Sequence, residues 1–261
     1  MLGAIIGDVC GSVYEFGNCK TDLVHEIVLL QQNCSYTDDS VLAVAIADAC
    51  SGNGDYQAAL LKWGNACDTV GYGSTFSKWL TAETPQPYNS WGNGSAMRVA
   101  PVAWAFNTLD TVLEQAALSA MPTHNHPQGI LGAQATAAAI FLARTGVSKE
   151  GIKDMMVNHF RYDLTRSVAA IRPNYEFDES CQGTVPEALT VFLESENFVH
   201  AMKLAISIGG DSDTIACIVG AIAEAYYKAI PFRFKSFAWE TLPKSMQEVV
   251  MLFRKRYCKN R

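Results

Sequence analysis

Two short stretches hold acids in a spacing that ordinary packing does not explain. Positions 208 to 216 read IGGDSDTIA, and positions 36 to 49 read YTDDSVLAVAIADA. Each places two carboxylates at the mouth of an apolar run: Asp38 and Asp39 follow Thr37, and Asp211 and Asp213 precede Thr214. Like charges so close repel, and apolar surroundings strengthen the repulsion. Two readings are open. Thr and Asp accept orphan N–H groups at helix starts, and acids suit the positive helix end, so both stretches read as N-caps. One carboxylate per helix suffices for that. Two at each, beside helices that read as buried, point to a hard cation, because Mg²⁺, Mn²⁺ and Ca²⁺ take carboxylate, hydroxyl and carbonyl oxygen.

Other segments offer weaker chemistry. GAIIGDVCGSVYEFG (3 to 17) reads as a polar loop embedded in small residues, with a turn and close backbone approach expected at Gly7 and Gly11. Within it Asp8 alone suits a structural cap or hydrogen-bond acceptor, and Glu15 alone a surface acid. SWGNGSAMRVAP (90 to 101) sets Gly92, Asn93, Gly94 and Ser95 before an expected helix. Such backbone donors hold phosphate or sugar hydroxyls, although a plain Asn-Gly turn accounts for the letters equally. Tyr72, in GYGS (71 to 74), suits an aromatic platform or a glycine-rich corner. THNHPQG (123 to 129) carries His124 and His126, but no cysteine or third histidine at ligand spacing, which disfavours zinc. A substrate-contacting histidine, or one held by a turn, is the expectation there.

Helices must position these groups. Apolar residues recur at three- and four-residue steps in 40 to 50, 109 to 120, 129 to 146, 185 to 195, 198 to 208 and 214 to 230. Ser148 with Glu150 marks a helix start, Pro186 lies near another, and Pro231 is expected to close the helix before it. Period-two alternation is nearly absent, though 25 to 31 (HEIVLLQ) reads as a short strand or a helical turn. All-α is the economical fold class. Segments 133 to 143 and 215 to 223 are apolar and small on every side, which fits the middle of a bundle. Polar connections at 81 to 95, 122 to 129 and 172 to 185 are candidates for function, and none resembles an interdomain linker, so one domain over 1–261 is expected.

The 261 residues are 49% hydrophobic and 18% charged, the profile of a folded globular chain. A net charge of -6 argues against a broad nucleic-acid surface. The one basic cluster, Arg254, Lys255, Arg256, Lys259 and Arg261, reads as a solvated helix end. Eight cysteines without a C-x-x-C pair suggest a reduced, cytoplasmic protein. MLGAIIG is too short for a signal-peptide core, and no apolar stretch reaches the roughly 18 uncharged residues a membrane span needs.

Taken together, the motifs resemble the ADP-ribosylglycohydrolase family, the group that includes dinitrogenase-reductase-activating glycohydrolase. The likeness covers roughly Met1 to Ile230, in the family's order: GDxxGSxxE from Gly7 to Glu15, TDD at Thr37-Asp38-Asp39, GNGSAMR from Gly92 to Arg98, TH-x4-G from Thr123 to Gly129, and GGDSDTIA from Gly209 to Ala216. The resemblance implies an all-α fold with two Mg²⁺ or Mn²⁺ ions in a central cleft. It implies metal ligation by Thr37, Asp38, Asp39, Asp211, Asp213 and Thr214. Glu15 would then stand beside the ions as a displaceable ligand or an acid/base group, in a catalytic set with Asp38 and Asp213. Gly92, Asn93, Gly94, Ser95, His124 and Gly129 would line an ADP-ribose site, with adenine on an aromatic such as Tyr72 or Trp91. The implied activity is hydrolysis of the glycosidic bond between ADP-ribose and an acceptor. A metal-dependent nucleotide phosphohydrolase and a non-catalytic ADP-ribose binder are the rival readings.

Overall fold

The three- and four-residue apolar periodicity does build helices. The computed structural model describes residues 1–67 and 70–258, and among them there is no strand, only isolated bridges between Lys20 and Ile208 and between Gly92 and Ser180. Five of the six periodic segments shift by a few residues at an end: the helices span Asp38–Ser51, Leu109–Ala120, Pro127–Arg144, Cys181–Glu194, Phe198–Ser207 and Ser212–Tyr227. The last stops before Pro231, with Lys228 in the left-handed conformation at φ 58° as its cap. Segment 25 to 31 contributes the end of a 3-10 turn, Val24–Glu26, and pairs with nothing as a strand. Lys259 and Arg261 of the basic cluster lie outside the described residues. Arg254, Lys255 and Arg256 occupy the last turn of the Lys244–Tyr257 helix, where cations suit the macrodipole.

One continuous hydrophobic core runs through the chain. At its centre stands the Ser212–Tyr227 helix, buried from Ser212 through Ala223. Around it pack the Leu2–Gly11, Phe198–Ser207, Pro127–Arg144 and Cys181–Glu194 helices. The reading of 3 to 17 as a polar loop is corrected here: Leu2–Gly11 is a fully buried helix. The misreading has a physical cause, since Gly3, Gly7 and Gly11 depress helix propensity but recur every four residues on one face. That face meets the central helix backbone to backbone. A Cβ at Gly7 would sit 2.0 Å from the Ala216 carbonyl oxygen, and one at Gly3 would sit 2.1 Å from that of Gly220. Close approach, not a turn, is therefore what these glycines provide. Gly7→Ala is expected to cost about 1–3 kcal/mol or more through overpacking, read as a lowered denaturant midpoint.

Candidate active site

Each acid is delivered by a separate local device. Gly209 and Gly210 both take positive φ (74° and 70°), a turn that L side chains rarely adopt, and it aims Asp211 into the start of the central helix. Gly11 lies against that start, where a Cβ would fall 2.4 Å from Asp213 Cα. At the other acidic start Thr37 is the N-cap, its hydroxyl accepting from Asp39 N at 3.3 Å. Asp8 braces the same turn. Its carboxylate accepts from Thr37 Oγ1 at 2.7 Å, from the Thr37 and Ser40 amides at 3.1 Å each, and from Ser40 Oγ. Asp8 is thus a buried hydrogen-bond acceptor, as its residue type suggested.

The two acidic helix starts meet at one cleft of about 750 Å³, whose wall carries Glu15, Asp38, Asp39, Asp211, Asp213 and Thr214. Glu15, Asp211 and Asp213 each offer a carboxylate oxygen, and these oxygens lie within 4.8 Å of one another. Thr214 Oγ1 donates to Asp39 Oδ1 at 3.3 Å, linking the two helices. Asp211 Oδ2 accepts from Asn93 Nδ2 at 2.7 Å, and Asn93 also donates to Thr184 Oγ1 at 3.0 Å. Thr37 supplies the cap, which leaves the carboxylates of Asp38 and Asp39 free of that duty.

Among the described residues no salt bridge engages Glu15, Asp38, Asp39, Asp211 or Asp213, and Arg98, a cation on the cleft wall, donates instead to Thr123, Ser119 and Ala120. Burial pushes the Asp8 carboxyl up to about 6 against its opposing hydrogen bonds. Burial, reinforced by Asp211, Asp8 and Glu179, pushes Glu15 up to about 7. Asp38 rises to about 8 for the same leading reason, with Asp8 adding repulsion. Burial also holds Asp39 and Asp213 well above the usual carboxylate range, and it raises Asp211. Asp39 Oδ2 is buried with no hydrogen-bond partner. An oxygen-only donor set, crowded with acids and holding one orphaned carboxylate oxygen, fits a hard divalent cation.

Beyond the acids, the loop at 91 to 94 forms the next stretch of wall. Asn93 N donates to Glu179 O at 2.6 Å and Cys181 N donates to Trp91 O at 2.9 Å, so this loop and the 178 to 181 segment hold each other. Gly92, Asn93, Gly94 and His124 line the cleft. Ser95, Gly129, Thr37 and Tyr72 stand behind the lining. Ser95 Oγ donates to Gly129 O at 2.7 Å, and a Cβ at Gly129 would fall 2.6 Å from Ser90 O. Tyr72 packs on Phe76 at 5.2 Å, and Phe76 itself reaches the wall. His126 caps the Pro127–Arg144 helix by accepting from Gln128 N at 3.1 Å, a turn-held histidine.

Arg98 was quoted in the motif but given no role by sequence reasoning. It is fully buried and donates through one terminal nitrogen to Thr123 Oγ1 at 2.9 Å and Ser119 O at 3.1 Å. Thr123 Oγ1 lies 2.7 Å from His124 Nδ1. Burial first, then Arg98, holds His124 well below the ordinary histidine range, so the ring is neutral. Its Nε2 lies beside Gly92 and Gly94 on the cleft wall. A charged residue inside AMRVAP, an otherwise apolar run, was the available signal. Phe16, Phe177, Asp178 and Glu179 also line the cleft and were not singled out. Phe16 is 86% exposed, and its ring stacks on Phe177 at 6.3 Å. Exposed phenylalanines in polar loops, followed by two acids at 178 and 179, were the readable sign.

Comparison with known proteins decides the family. The profile described as ADP-ribosylglycohydrolase matches residues 1–257. The chain belongs to the ADP-ribosylglycohydrolase family. An ADP-ribosylhydrolase ARH3 of Xenopus tropicalis is 26% identical, with 90% of this chain and 88% of that protein covered. The ADP-ribosylarginine hydrolase Tri1 of Pseudomonas putida (strain GB-1) is also 26% identical, over 87% of this chain and 69% of that one. A solved structure titled ADP-ribosylglycohydrolase-related protein complex shares the fold, with a TM-score of 0.73 at 23% identity, covering 97% of this chain and 96% of that chain. Family and relatives together support ADP-ribosyl hydrolase activity. No helix among the described residues is long and apolar enough to cross a membrane.

Proposed function

We propose that the chain works as a single domain that cleaves the glycosidic bond between ADP-ribose and an acceptor, with Mg²⁺ or Mn²⁺ at the acidic cluster. The observation that carries this reading is the meeting of two acidic helix starts with Glu15 on one cleft wall. Asp38, Asp39, Asp211, Asp213 and Thr214 would hold two cations, with Thr37 bracing from behind. Divalent cations bound there supply Lewis-acid polarisation and lower the pKa of a bound water.

The chain's own groups do the rest. Glu15, pushed up to about 7 without cation, is drawn lower by cations bound beside it and acts as the acid/base group on the attacking water. Asp38 and Asp213 add negative potential beside the anomeric carbon, where glycoside cleavage develops positive charge. The 92 to 94 loop and the neutral His124 orient the ADP-ribose phosphates and ribose. Exposed Trp91, rather than Tyr72, offers the adenine a ring. On the acceptor side Phe16 and Phe177 offer ring faces beside Asp178 and Glu179, surroundings that favour a cationic acceptor such as a guanidinium. Eight cysteines, none of them in a disulfide among the described residues, fit a reducing, cytoplasmic setting.

The test is incubation with Mg²⁺ or Mn²⁺ and ADP-ribosyl conjugates of different linkage, scoring the products. Free ADP-ribose is expected, released fastest from the guanidinium conjugate. Released phosphate or AMP would indicate a phosphohydrolase, and calorimetric binding without turnover a non-catalytic binder. Equal rates across linkages would remove the acceptor preference alone.

A further inference from the structure

Among the described residues that line the main cleft, Arg98 is the only lysine or arginine. It ends the short Gly94–Arg98 helix, directly after the 92 to 94 loop, and its side chain is fully buried. A buried guanidinium ordinarily sits against a carboxylate, because taking its charge out of water is costly. Among the described residues no ion pair engages this one. The ionisable side chains that act on its charge are Tyr88 and Cys181, and burial raises both, so neither is charged at neutral pH.

Its hydrogen bonds do not supply the missing charge. One terminal nitrogen donates to Ser119 O, Ala120 O and Thr123 Oγ1. Ser119 and Ala120 end the Leu109–Ala120 helix, whose C-terminus brings about half an elementary charge, a partial offset. The other two nitrogens, Nε and Nη1, are buried and make no hydrogen bond. Unpaired buried donors are uncommon in folded proteins, and on a cation they are costlier still.

The charge stands close behind the wall to which the phosphates are assigned. Thr123 Oγ1 joins the guanidinium to His124 Nδ1, at 2.9 and 2.7 Å. Across that ring, Nε2 lies 3.1 Å from where a Cβ on Gly94 would fall. His124 is neutral and brings no charge of its own. Glu15, Asp178 and Glu179 share the cleft, and carboxylates repel a pyrophosphate.

We infer that Arg98 is a positioning residue for the substrate's pyrophosphate: its uncompensated guanidinium, buried behind His124, holds the anion at the 92 to 94 wall through its field rather than by contact. The inference rests on the reading of the cleft as an ADP-ribose site and adds a selection by charge, for a nucleoside that carries phosphates over the same nucleoside without them. One full charge a few ångströms behind a protein wall changes affinity by about tenfold or more. A purely structural role, tying the Gly94–Arg98 helix to Thr123, gives no such discrimination.

Calorimetry of the full chain with ADP-ribose and with adenosine, beside steady-state hydrolysis of an ADP-ribosyl conjugate, tests this. Arg98→Gln removes the charge and keeps an amide donor, Arg98→Met removes both, and Arg98→Lys keeps the charge. Thermal melts identify the variants that fold. Each folded neutral variant is expected to bind ADP-ribose about tenfold more weakly or worse, with adenosine binding unchanged. KM should rise while kcat changes little, and Arg98→Lys should recover most of the loss. On wild type in chelator, AMP should bind more tightly than adenosine, a comparison that needs no variant. Equal weakening of both ligands, undiminished ADP-ribose binding by a neutral variant, or adenosine binding more tightly than AMP would overturn the role of Arg98. A wild type that neither binds nor releases ADP-ribose would instead sink the reading of the cleft, and this inference with it.

Discussion

Asp213→Asn is expected to abolish hydrolysis while making the cation-free protein more resistant to unfolding at pH 8. The two effects share one cause. Asp213 is buried among Asp39 and Asp211, and its ionisation is opposed first by burial and then by those neighbours. Asparagine keeps the shape and removes the charge. The sign of the pH dependence follows from the direction of the shifts. Asp8, Glu15 and Asp38 have folded-state values of about 6, 7 and 8, above the roughly 4 of an unfolded carboxylate. Their contribution to stability is therefore complete below about pH 4 and is lost as pH rises to about 8. In chelator, wild type should accordingly melt at a lower temperature at pH 8 than at pH 5, and Asp213→Asn should lose less over that interval. Adding Mg²⁺ or Mn²⁺ stabilises wild type by mass action, about 2.7 kcal/mol at a hundredfold excess over Kd, and should stabilise the variant far less. Melting curves with and without cation, beside an ADP-ribose release assay, measure all of this. A wild type whose melting temperature rises with pH in chelator, or an active Asp213→Asn, would refute the cation site.

Glu15→Gln is expected to lower kcat by about 10²–10⁴-fold, the usual worth of a positioned acid/base group. Affinity for ADP-ribose should change little, because the phosphates and ribose are assigned to Asn93, Gly94 and His124 rather than to Glu15. The pH profile separates a chemical role from a structural one. Wild-type kcat/KM should show a limb set by the Glu15 carboxyl, below about pH 7 because bound cations lower the value that burial and the neighbouring acids raise, and the variant's residual rate should lose that limb. Single-turnover rates at saturating substrate, with calorimetric ADP-ribose binding, provide the numbers. A variant with wild-type turnover would take Glu15 out of the reaction.

Much of this was legible in the sequence, and the gaps have physical reasons. The helices carrying Asp38 and Asp213 announced themselves because alanine and isoleucine recur at helical steps beside acids that suit a helix start. The helix carrying Asp8 did not, because the glycines that admit the central helix look, letter by letter, like a loop. The convergence of the two acidic starts could be read only through the resemblance, since spacing along the chain says nothing of distance in space. Tyr72 was drawn in by its type, aromatic between glycines, but its ring packs on Phe76, which takes the place at the wall. Phe16 and Phe177 were passed over because isolated apolar residues on a surface are ordinary. Only their stacking beside Glu15 distinguishes them.

The contact between the Leu2–Gly11 helix and the central helix has an evolutionary consequence. The atoms nearest to a side chain added at Gly3 or Gly7 are carbonyl oxygens, at Gly220 and Ala216. No compensating substitution can shorten a carbonyl, so damage at these positions has no suppressor across the interface. Any rescue must relocate an entire helix, and with it Asp8 relative to Asp213. The catalytic geometry is thereby sheltered from gradual drift: outlying residues are free to diversify, while this seam admits only variants that keep it bare.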